Sequence, residues 1–377
     1  MPARDVVGTA AALLAGVVVL AYTYWRQRRP PAATTRKAAF DIGSGATKVL
    51  IADVDATGVI VGAPIYETEK PMGYKADAQA HEGRLSDSIQ ACGLDLVVTL
   101  TAKARELGAA EASGIATEIF RTAPNGRAFL ERLEARTGVR ITILSQADEA
   151  RLGLATAEAL LGGVEFDAAW DSGGGSFQIS AREGGGGGAP IASAALRTYT
   201  GKLGTGPSFE RLLVRVQRKA YDVAATPNPV SAEETRRLVA LLQGELAPAP
   251  DWLRGGAVAA IGGWNSIFAV TLRVLRHRVA GFASAGADDG GGSFTLDEAQ
   301  RALEAVVGRS DAELLPVAGT TDDSEPPSLV VGKVALLVAV SSHLGLKRVL
   351  FRPATGGCAG LYALGDFQAL ARGEPFR

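Results

Sequence analysis

Cysteine and histidine are scarce in this chain of 377 residues, which contains only two cysteines and three histidines. Cys92 and Cys358 lie far apart without a CxxC spacing, and the histidines, at positions 81, 277 and 343, lack the spacing of metal ligands. The sequence therefore gives no support to a zinc site, a disulfide framework or a cysteine nucleophile.

The chain also lacks the basic charge of a nucleic-acid-binding protein. Its net charge is −1, and residues 1–37 alone carry +5, so residues 38–377 carry −6. An acidic domain does not bind nucleic acid through bulk electrostatics, and we expect no nucleic-acid partner. A Walker phosphate loop is absent too, because Lys202 in GKLGTG is not followed by serine or threonine.

Long apolar runs are rare, with one exception near the N-terminus. Residues 6–25 form an uncharged stretch of 20 residues that ends in Tyr22, Tyr24 and Trp25. This length matches a helix across a hydrocarbon core of about 30 Å, and no convincing signal-peptide cleavage site follows it. We predict a single-pass membrane anchor, with a basic linker up to residue 37. The arginines downstream place the large domain on the cytosolic side by the positive-inside rule.

The remaining sequence has the composition of a globular protein with room for about two domains, 47% hydrophobic and 21% charged. Apolar alternation predicts strands at 38–42, 47–54, 58–66, 114–120 and 139–144 in the first half. Helices are predicted at 86–108, at 125–138 with an Asn125 cap, and from Gln146 to 161. Further strands are expected at 167–171, 176–182, 190–196, 257–263 and 347–351, with helices dominating from about 207. This pattern indicates an α/β protein with mixed sheets, divided near residue 165.

Two glycine-rich turns follow an aspartate at the end of an apolar strand. AFDIGSGATKVLIADV (39–54) contains Asp41, and AAWDSGGGSFQIS (168–180) contains Asp171, 130 positions later. One such turn is as readily a flexible loop as an anion site, but the repetition indicates matching turns in two similar halves. Facing each other across a cleft, two turns of backbone N–H groups would bind a phosphate chain from both sides.

The segment from 114 to 154 contains ATEIFR, NGRAFL and SQADEARL in order, between FDIGSGAT and WDSGGGSFQ. Together these stretches resemble the exopolyphosphatase/guanosine pentaphosphatase (Ppx/GppA) family of the actin-like, sugar-kinase and Hsp70 superfamily. The resemblance covers residues 38 to about 182 and thins beyond them. It implies two actin-like (ribonuclease H-like) domains with mixed sheets flanked by helices, and an active cleft between them.

The resemblance also implies domain limits and a short form of the family. It places the first actin-like domain at 38–164 and the second at 165–377, with the C-terminal helix of the chain free to pack back on the first. The chain ends soon after these two halves, so we expect no further helical domain, and a homodimer would allow two chains to build a channel for polyphosphate.

Carried over residue by residue, the resemblance assigns the catalytic roles to Glu149 and Arg121. Glu149 falls on the family's general base, which takes a proton from the attacking water, and Arg121 on the arginine that contacts phosphate. Without the neighbouring motifs, the preferred interpretation of Glu149 is a solvated acid favoured by a helix N-terminus. Arg121 alone is equally a partner of Glu118 or Glu131.

The remaining site residues belong to the two turns. Asp171 matches the position associated with a divalent metal, Mg²⁺ or Mn²⁺, and Asp41 is expected to assist it from the other turn. Phosphate is expected to bind the backbone N–H groups and hydroxyls of both turns, contributed by Gly43, Ser44, Gly45, Gly173, Gly174, Gly175 and Ser176.

Three departures from the family pattern bear on activity. Gly45 and Ala46 replace two polar residues of the first turn, Gln146 replaces a glycine, and Gln178 replaces the glutamate that ends the second turn.

Three functional hypotheses follow from the motifs and from these departures. The first is a membrane-anchored Mg²⁺-dependent hydrolase of polyphosphate or guanosine pentaphosphate. The second is a catalytically weakened regulator that binds phosphate ligands and partner proteins. The third is an ATP-dependent small-molecule kinase of the same superfamily.

Overall fold

A computed structural model of the chain describes residues 33–184, 191–222, 224–283, 290–319 and 326–364. The predicted anchor at 6–25 lies outside the described residues. Within them, one helical stretch, Pro327–Leu344, is long and apolar enough to cross a membrane, and 78% of it is buried inside the protein. That burial is typical of a core helix.

The first sheet has five strands in the order β3-β2-β1-β4-β5. Strands β1, β2 and β3 form an antiparallel meander, and β4 and β5 continue the sheet in parallel to β1. Residues Ala38–Ile42 of β1 are all buried, as expected of a central strand covered on both faces. The strands are β1 (Thr35–Ile42), β2 (Ala46–Val54), β3 (Tyr66–Pro71), β4 (Glu111–Ala116) and β5 (Arg140–Ile143).

The second sheet repeats this topology and adds an edge strand. Its order is β10-β11-β9-β6-β7-β8, in which β6, β7 and β8 form the meander and β9 and β11 run parallel to β6. The strands are β6 (Ala168–Ser172), β7 (Phe177–Arg182), β8 (Leu196–Gly201), β9 (Ala257–Gly262), β10 (Gly292–Thr295) and β11 (Arg348–Pro353). The two similar halves predicted from the glycine turns are therefore present as two similar sheets.

Helices cover the sheets and connect the parallel strands. The first lobe contains α1 (Tyr74–Ala80), α2 (Asp87–Glu106), α3 (Glu118–Thr122), α4 (Gly126–Thr137) and α5 (Gln146–Leu161). The second contains α6 (Thr205–Glu210), α7 (Ala232–Gly244), α8 (Ile267–Arg278), α9 (Leu296–Val306), α10 (Asp311–Ala318), α11 (Val330–Leu344) and α12 (Cys358–Ala363). Between α6 and α7, Arg211–Val216 forms a π-helical turn. Mixed sheets flanked by helices confirm the fold class predicted from the sequence.

Two of these helices are exchanged between the sheets. Helix α5 packs on the second sheet, where Leu152 and Ala155 join the cluster that contains Ala169 and Ile261. Helix α12 packs on the first, and the Tyr362 hydroxyl donates to the carbonyl oxygen of Leu50 at 2.7 Å. The helices cross at Gly360, where a Cβ would lie 2.6 Å from the Leu152 carbonyl oxygen. The division at residue 165 stays a prediction.

Several element predictions were wrong in position. The strand predicted at 58–66 is β3 at Tyr66–Pro71, and the one predicted at 190–196 is β8 at Leu196–Gly201. The strand predicted at 114–120 is β4 only to Ala116, after which Glu118–Thr122 forms α3. These shifts arise because turn residues and short polar stretches blur the alternation at strand ends.

Asn125 is the N-cap residue of α4, as predicted, but it does not cap the helix through its side chain. The amide pairs instead with Leu85, accepting from its N–H at 3.0 Å and donating to its carbonyl at 2.8 Å. Asn125 therefore ties α4 to the loop before α2.

Candidate active site

The two glycine turns have the same hydrogen-bonded geometry. In the turn between β1 and β2, the Gly43 N–H donates to the Ala46 carbonyl at 2.9 Å. In the turn between β6 and β7, the Gly173 N–H donates to the Ser176 carbonyl at 3.0 Å. Each turn therefore closes four residues over the end of a central strand.

Each turn is also held from outside by the segment that follows the third strand of its meander. The N–H groups of Met72 and Lys75 donate to the carbonyls of Gly45 and Ser44, at 2.8 and 3.0 Å. In the second lobe the Gly206 N–H donates to the Gly174 carbonyl at 2.9 Å. A carbonyl and the next N–H point in opposite directions across a trans peptide. The N–H groups that come next along the chain after these bonded carbonyls therefore point away from the supporting segments.

One cleft of about 290 Å³ is lined by both turns and by residues at the ends of the central strands. Of the residues predicted from the sequence, it is lined by Asp41, Gly43, Ser44, Gly45, Glu149, Asp171, Gly173, Gly174, Gly175 and Ser176. Arg121 is outside this lining but contacts it through Glu149. The structure thus brings the predicted residues together around one space.

Glu149 lies in the first turn of α5, behind the helix cap Ser145, and its side chain is 13% exposed. Burial raises the pKa of its carboxyl group, Arg121 opposes this rise, and the carboxylates of Asp171 and Asp41 add to it. A carboxylate with a raised pKa is a better proton acceptor near neutral pH than an exposed one.

Arg121 is the ion-pair partner of Glu149, with Nη1 at 2.8 Å from Oε1. The same nitrogen also donates to the Leu144 carbonyl. The partners that the sequence left open, Glu118 and Glu131, are therefore not the ones found. Instead, Glu118, which lines the cleft, pairs with Lys75 at 3.0 Å.

Asp171 is the penultimate residue of strand β6 and lines the cleft, opposite Gln178 of β7. Burial raises the pKa of Asp171 to about 6, against the field of Lys48, while the carboxylate of Asp41 adds to the rise. Gln178 is buried and lines the same space. Gln178 therefore gives Asp171 an uncharged amide as its neighbour and supplies no second carboxylate at this point.

Lys48 is a residue of the cleft that the sequence analysis missed. It lies opposite Asp41 in the β1–β2 pair and opposite Glu69 in the β2–β3 pair, so the three side chains share one face. Burial alone would lower the pKa of Lys48, but the carboxylates of Asp41, Glu69 and Asp171 raise it above its ordinary value. Lys48 is thus a fixed positive charge among acids.

Asp41 is held by the loop before α12. Its Oδ2 accepts from the Gly357 N–H at 2.8 Å. The preceding Gly356 has φ +57° and no space for a side chain, since a Cβ there would lie 2.1 Å from the same oxygen. No function was predicted from the sequence for the glycines of ATGGC (354–358). In the structure they hold Asp41, beside the first turn, from the loop before α12.

The second turn depends on Gly204, which, like Gly356, has no space for a side chain. A Cβ at Gly204 would lie 2.6 Å from backbone atoms of Gly173, Gly174 and Gly175. We therefore expect Gly204→Ala to displace the turn and to weaken phosphate binding by about tenfold or more. Calorimetric titration with tripolyphosphate measures this, and Gly244→Ala is the control because a Cβ at Gly244 meets nothing within 4 Å. Unchanged affinity in Gly204→Ala would show that the turn does not contact phosphate.

The acids of the cleft suit a metal only in part. In the described portion of the chain, no group of three or more His, Cys, Asp or Glu side chains is arranged to hold a metal ion. Mg²⁺ commonly uses one or two carboxylates and fills its shell with water and phosphate oxygens. Asp171 fits that role, whereas Asp41 is already engaged by Lys48 and by the Gly357 N–H.

Comparison with known proteins agrees with this architecture. The model of the Ppx/GppA phosphatase family matches residues 76–194. No curated protein matches the sequence. Among solved structures, a Ppx/GppA family member from Aquifex aeolicus is similar with a TM-score of 0.66 and 16% identity, over 89% of this chain and 99% of its own.

Two further structures share the fold. An exopolyphosphatase from Cytophaga hutchinsonii has a TM-score of 0.64 and 14% identity, over 91% of this chain and 99% of its own. A nucleoside triphosphate hydrolase from Neospora caninum has a TM-score of 0.51 and 12% identity, over 97% and 98%. At these identities the structures show the fold, and together with the family model they support the predicted Ppx/GppA relationship.

Proposed function

We propose that this chain, an actin-like protein related to the Ppx/GppA phosphatases, hydrolyses the terminal phosphoanhydride bond of polyphosphate or of a guanosine polyphosphate. The observation that carries the proposal is that Glu149 lines the same cleft as both backbone turns. Phosphoryl transfer depends mainly on positioning and charge stabilisation, and this cleft offers groups for both.

The terminal phosphate would bind between the two turns. The backbone N–H groups that follow the carbonyls of Ser44, Gly45 and Gly174 along the chain point away from the segments that hold the turns. These N–H groups would donate to phosphoryl oxygens. Lys48 and Lys75 would offset the negative charge of the substrate. The cleft also contains several carboxylates, so substrate affinity would rely on these local donors.

Glu149 would act on the water that attacks the terminal phosphorus. The water oxygen forms the new P–O bond, and its proton passes to the Glu149 carboxylate. The bond from the terminal phosphorus to the bridging oxygen breaks, and the shortened chain leaves with that oxygen. Arg121 would keep the Glu149 carboxylate oriented through their ion pair. We also propose that Arg121 contacts a phosphate of the substrate.

A divalent cation, Mg²⁺ or Mn²⁺, would be held by Asp171, as predicted from the sequence. The predicted assistance from Asp41 would be limited to its Oδ1, because its Oδ2 accepts from the Gly357 N–H. When bound, the cation would neutralise charge on the phosphate oxygens. Asp171 suits this role because its carboxyl group is desolvated, which a nearby cation would offset.

A regulatory function is the second candidate, and Gln178 favours it. Gln178 lies opposite Asp171, at the position where the sequence pattern of the family has a glutamate. A protein with one fewer carboxylate at this point would retain phosphate binding through the turns while hydrolysing slowly. Such a chain would sense a phosphate ligand and transmit its presence to a partner protein.

Membrane attachment through residues 6–25, a cytosolic location and a homodimer remain proposals from the sequence. They affect how the experiment is performed, since the full chain would be purified in detergent.

The decisive assay is phosphate release by the full chain with Mg²⁺ on polyphosphate, guanosine pentaphosphate and ATP. We expect turnover of at least one of the first two and little of ATP. Turnover of ATP alone, with transfer to an acceptor, would favour the kinase reading. Binding of tripolyphosphate without any turnover would favour the regulator.

A further inference from the structure

A lysine is buried in the core of the second lobe. Lys333 lies on α11, whose other described residues are almost all Val, Leu, Ala, Gly and Ser, and it is 1% exposed. Lysine is very rarely buried to this extent unless its ammonium group has partners. In this apolar environment, the contacts of its Nζ therefore determine how the charge is accommodated.

The buried Lys333 and a second, half-buried cation hold two adjacent carbonyls. The Nζ of Lys333 donates to the carbonyl of Asn265. Arg273 on α8 donates to the carbonyl of Trp264 at 2.5 Å, and to those of Val317 and Ala318, each at 3.0 Å. Two cations beneath one stretch of backbone are more than packing requires, because each has to be desolvated.

These carbonyls belong to the segment Gly262–Ser266, which joins β9 to α8. Gly262, Gly263, Asn265 and Ser266 line the same cleft as the glycine turns and Glu149. Across a trans peptide, the direction of a carbonyl sets that of the next N–H. Fixing the carbonyls of Trp264 and Asn265 thus sets the conformation of this wall of the cleft, in which the Ser266 N–H donates to the Gly263 carbonyl at 3.0 Å.

The segment also meets the first lobe. A Cβ at Gly263 would lie 2.3 Å from Oε2 of Glu69, so the Glu69 side chain abuts the backbone there. Glu69 is the cross-strand neighbour of Lys48. A displacement of the segment would therefore disturb both the wall of the cleft and the charges around Lys48.

We propose that Lys333 is a positioning residue for the phosphate cleft, which holds the Gly262–Ser266 segment in the conformation that accepts a polyphosphate chain. This inference rests on the proposed function in that it takes the cleft to bind phosphate. Lys333 does not line the cleft and touches no substrate. It acts through the Asn265 peptide and through its positive charge beneath an anion-binding wall.

The charge of Lys333 changes in the physiological range. Its pKa is lowered to about 7, chiefly by burial and also by Arg273 on α8, while Glu69 on β3 opposes both effects. The ammonium form, which is the stronger donor and adds positive potential, is therefore present below about pH 7. In the unfolded chain the pKa returns to its ordinary value of 10.5. The unfolded state then binds more protons between these values, so this residue makes stability rise with pH from 7 to 10.5.

The test compares Lys333→Met, Lys333→Arg and the wild-type full chain by calorimetric titration with tripolyphosphate, at about pH 6 and about pH 8.5. We expect Lys333→Met to bind about tenfold more weakly than wild type at the lower pH. Lys333→Arg, which stays charged, should match wild type at the lower pH and exceed it at the higher one. Ratios between variants at one pH cancel the protonation of tripolyphosphate itself.

The control is Ser341→Ala, a buried residue farther along the same helix. It should leave both affinities unchanged, and its melting temperature shows what a structural change in α11 does alone. If Lys333→Met fails to fold, the comparison of wild type with Lys333→Arg across pH still decides, because it needs no loss of side-chain volume.

Equal affinities of wild type and a folded Lys333→Met at the lower pH would overturn the inference, as would a wild type that does not bind tripolyphosphate. Phosphate release, measured in parallel, separates the two proposals. A wild type that binds but does not hydrolyse, and loses binding in Lys333→Met, would contradict only the hydrolase. A wild type that hydrolyses, with Lys333→Met unchanged in KM and pH profile, would contradict only the positioning role.

Discussion

Glu149→Gln should reduce phosphate release by about 10²- to 10⁴-fold while leaving tripolyphosphate affinity nearly unchanged, because a general base typically contributes that much. The amide keeps the size of the side chain and still accepts a hydrogen bond from Arg121, but it cannot take the proton from water. The measurement is kcat on whichever phosphate substrate the wild type hydrolyses, with calorimetric Kd for tripolyphosphate alongside.

Asp148→Asn is the matched control for this substitution. Asp148 occupies the same first turn of α5, so it experiences the same helix dipole as Glu149. Its carboxylate, however, is bonded to the Ser145 hydroxyl at 2.6 Å. We expect Asp148→Asn to keep most of its activity. Equal losses in both variants would mean that acids at this helix end act only through the dipole, and full turnover by Glu149→Gln would remove it as the base.

Lys48→Met should have the second large effect, because it removes the positive charge shared by Asp41, Glu69 and Asp171. Leaving these carboxylates without their cation should lower the free energy of unfolding by about 1–3 kcal/mol near neutral pH. Phosphate affinity should fall with it, since the net charge of the cleft becomes more negative. Denaturant unfolding and calorimetric titration measure the two effects.

The pH dependence of this loss has a definite sign. The pKa of Lys48 is raised in the folded state, so its stabilisation is fully present below its ordinary value of 10.5. As the pH falls through about 6, Asp171 takes up a proton and the penalty for losing Lys48 should shrink. Lys48→Arg should retain most of the stability, and Lys70→Met on the exposed part of β3 should have little effect. A loss in Lys48→Met that is the same at all pH values would point to packing and not to charge.

The sequence predicted the parts of this site that depend on local patterns. Asp41 and Asp171 each follow an apolar strand and precede a glycine turn, and that local arrangement alone placed both turns correctly on their hairpins. Glu149 was predicted from the family resemblance of SQADEARL at its helix start, and it lines the same cleft, while its catalytic role stays a prediction. The fold class followed from the alternation of strands and helices.

Of the two residues that were missed, Lys48 was within reach of the sequence and Glu69 was not, for a reason of register. A four-residue turn in the first hairpin pairs Asp41 with Lys48, so this neighbour was available from the turn alone. Glu69 was not, because the third strand was predicted at 58–66 and lies at Tyr66–Pro71. A shift of several residues changes every cross-strand neighbour of a strand.

Other parts of the site depend on contacts that no local pattern contains. Gly204 matters because backbone from elsewhere in the chain approaches it closely, and Gly356 because the Asp41 side chain does. Lys333 matters because its helix is enclosed by the second lobe. Each of these is a long-range packing relation. Composition and periodicity describe the residue and its neighbours along the chain, not what the fold brings against it.

The exchange of helices between the sheets has a consequence for biosynthesis. The face of β1 and β2 that is covered by α12 stays open until Cys358–Ala363 has left the ribosome, although those strands are made first. The N-terminal lobe therefore cannot finish folding on its own during translation, since its last covering segment is synthesised after every strand of the second sheet. Nascent chains halted before Cys358 should remain sensitive to protease in the first sheet, and readily aggregate through it, until the missing segment is supplied.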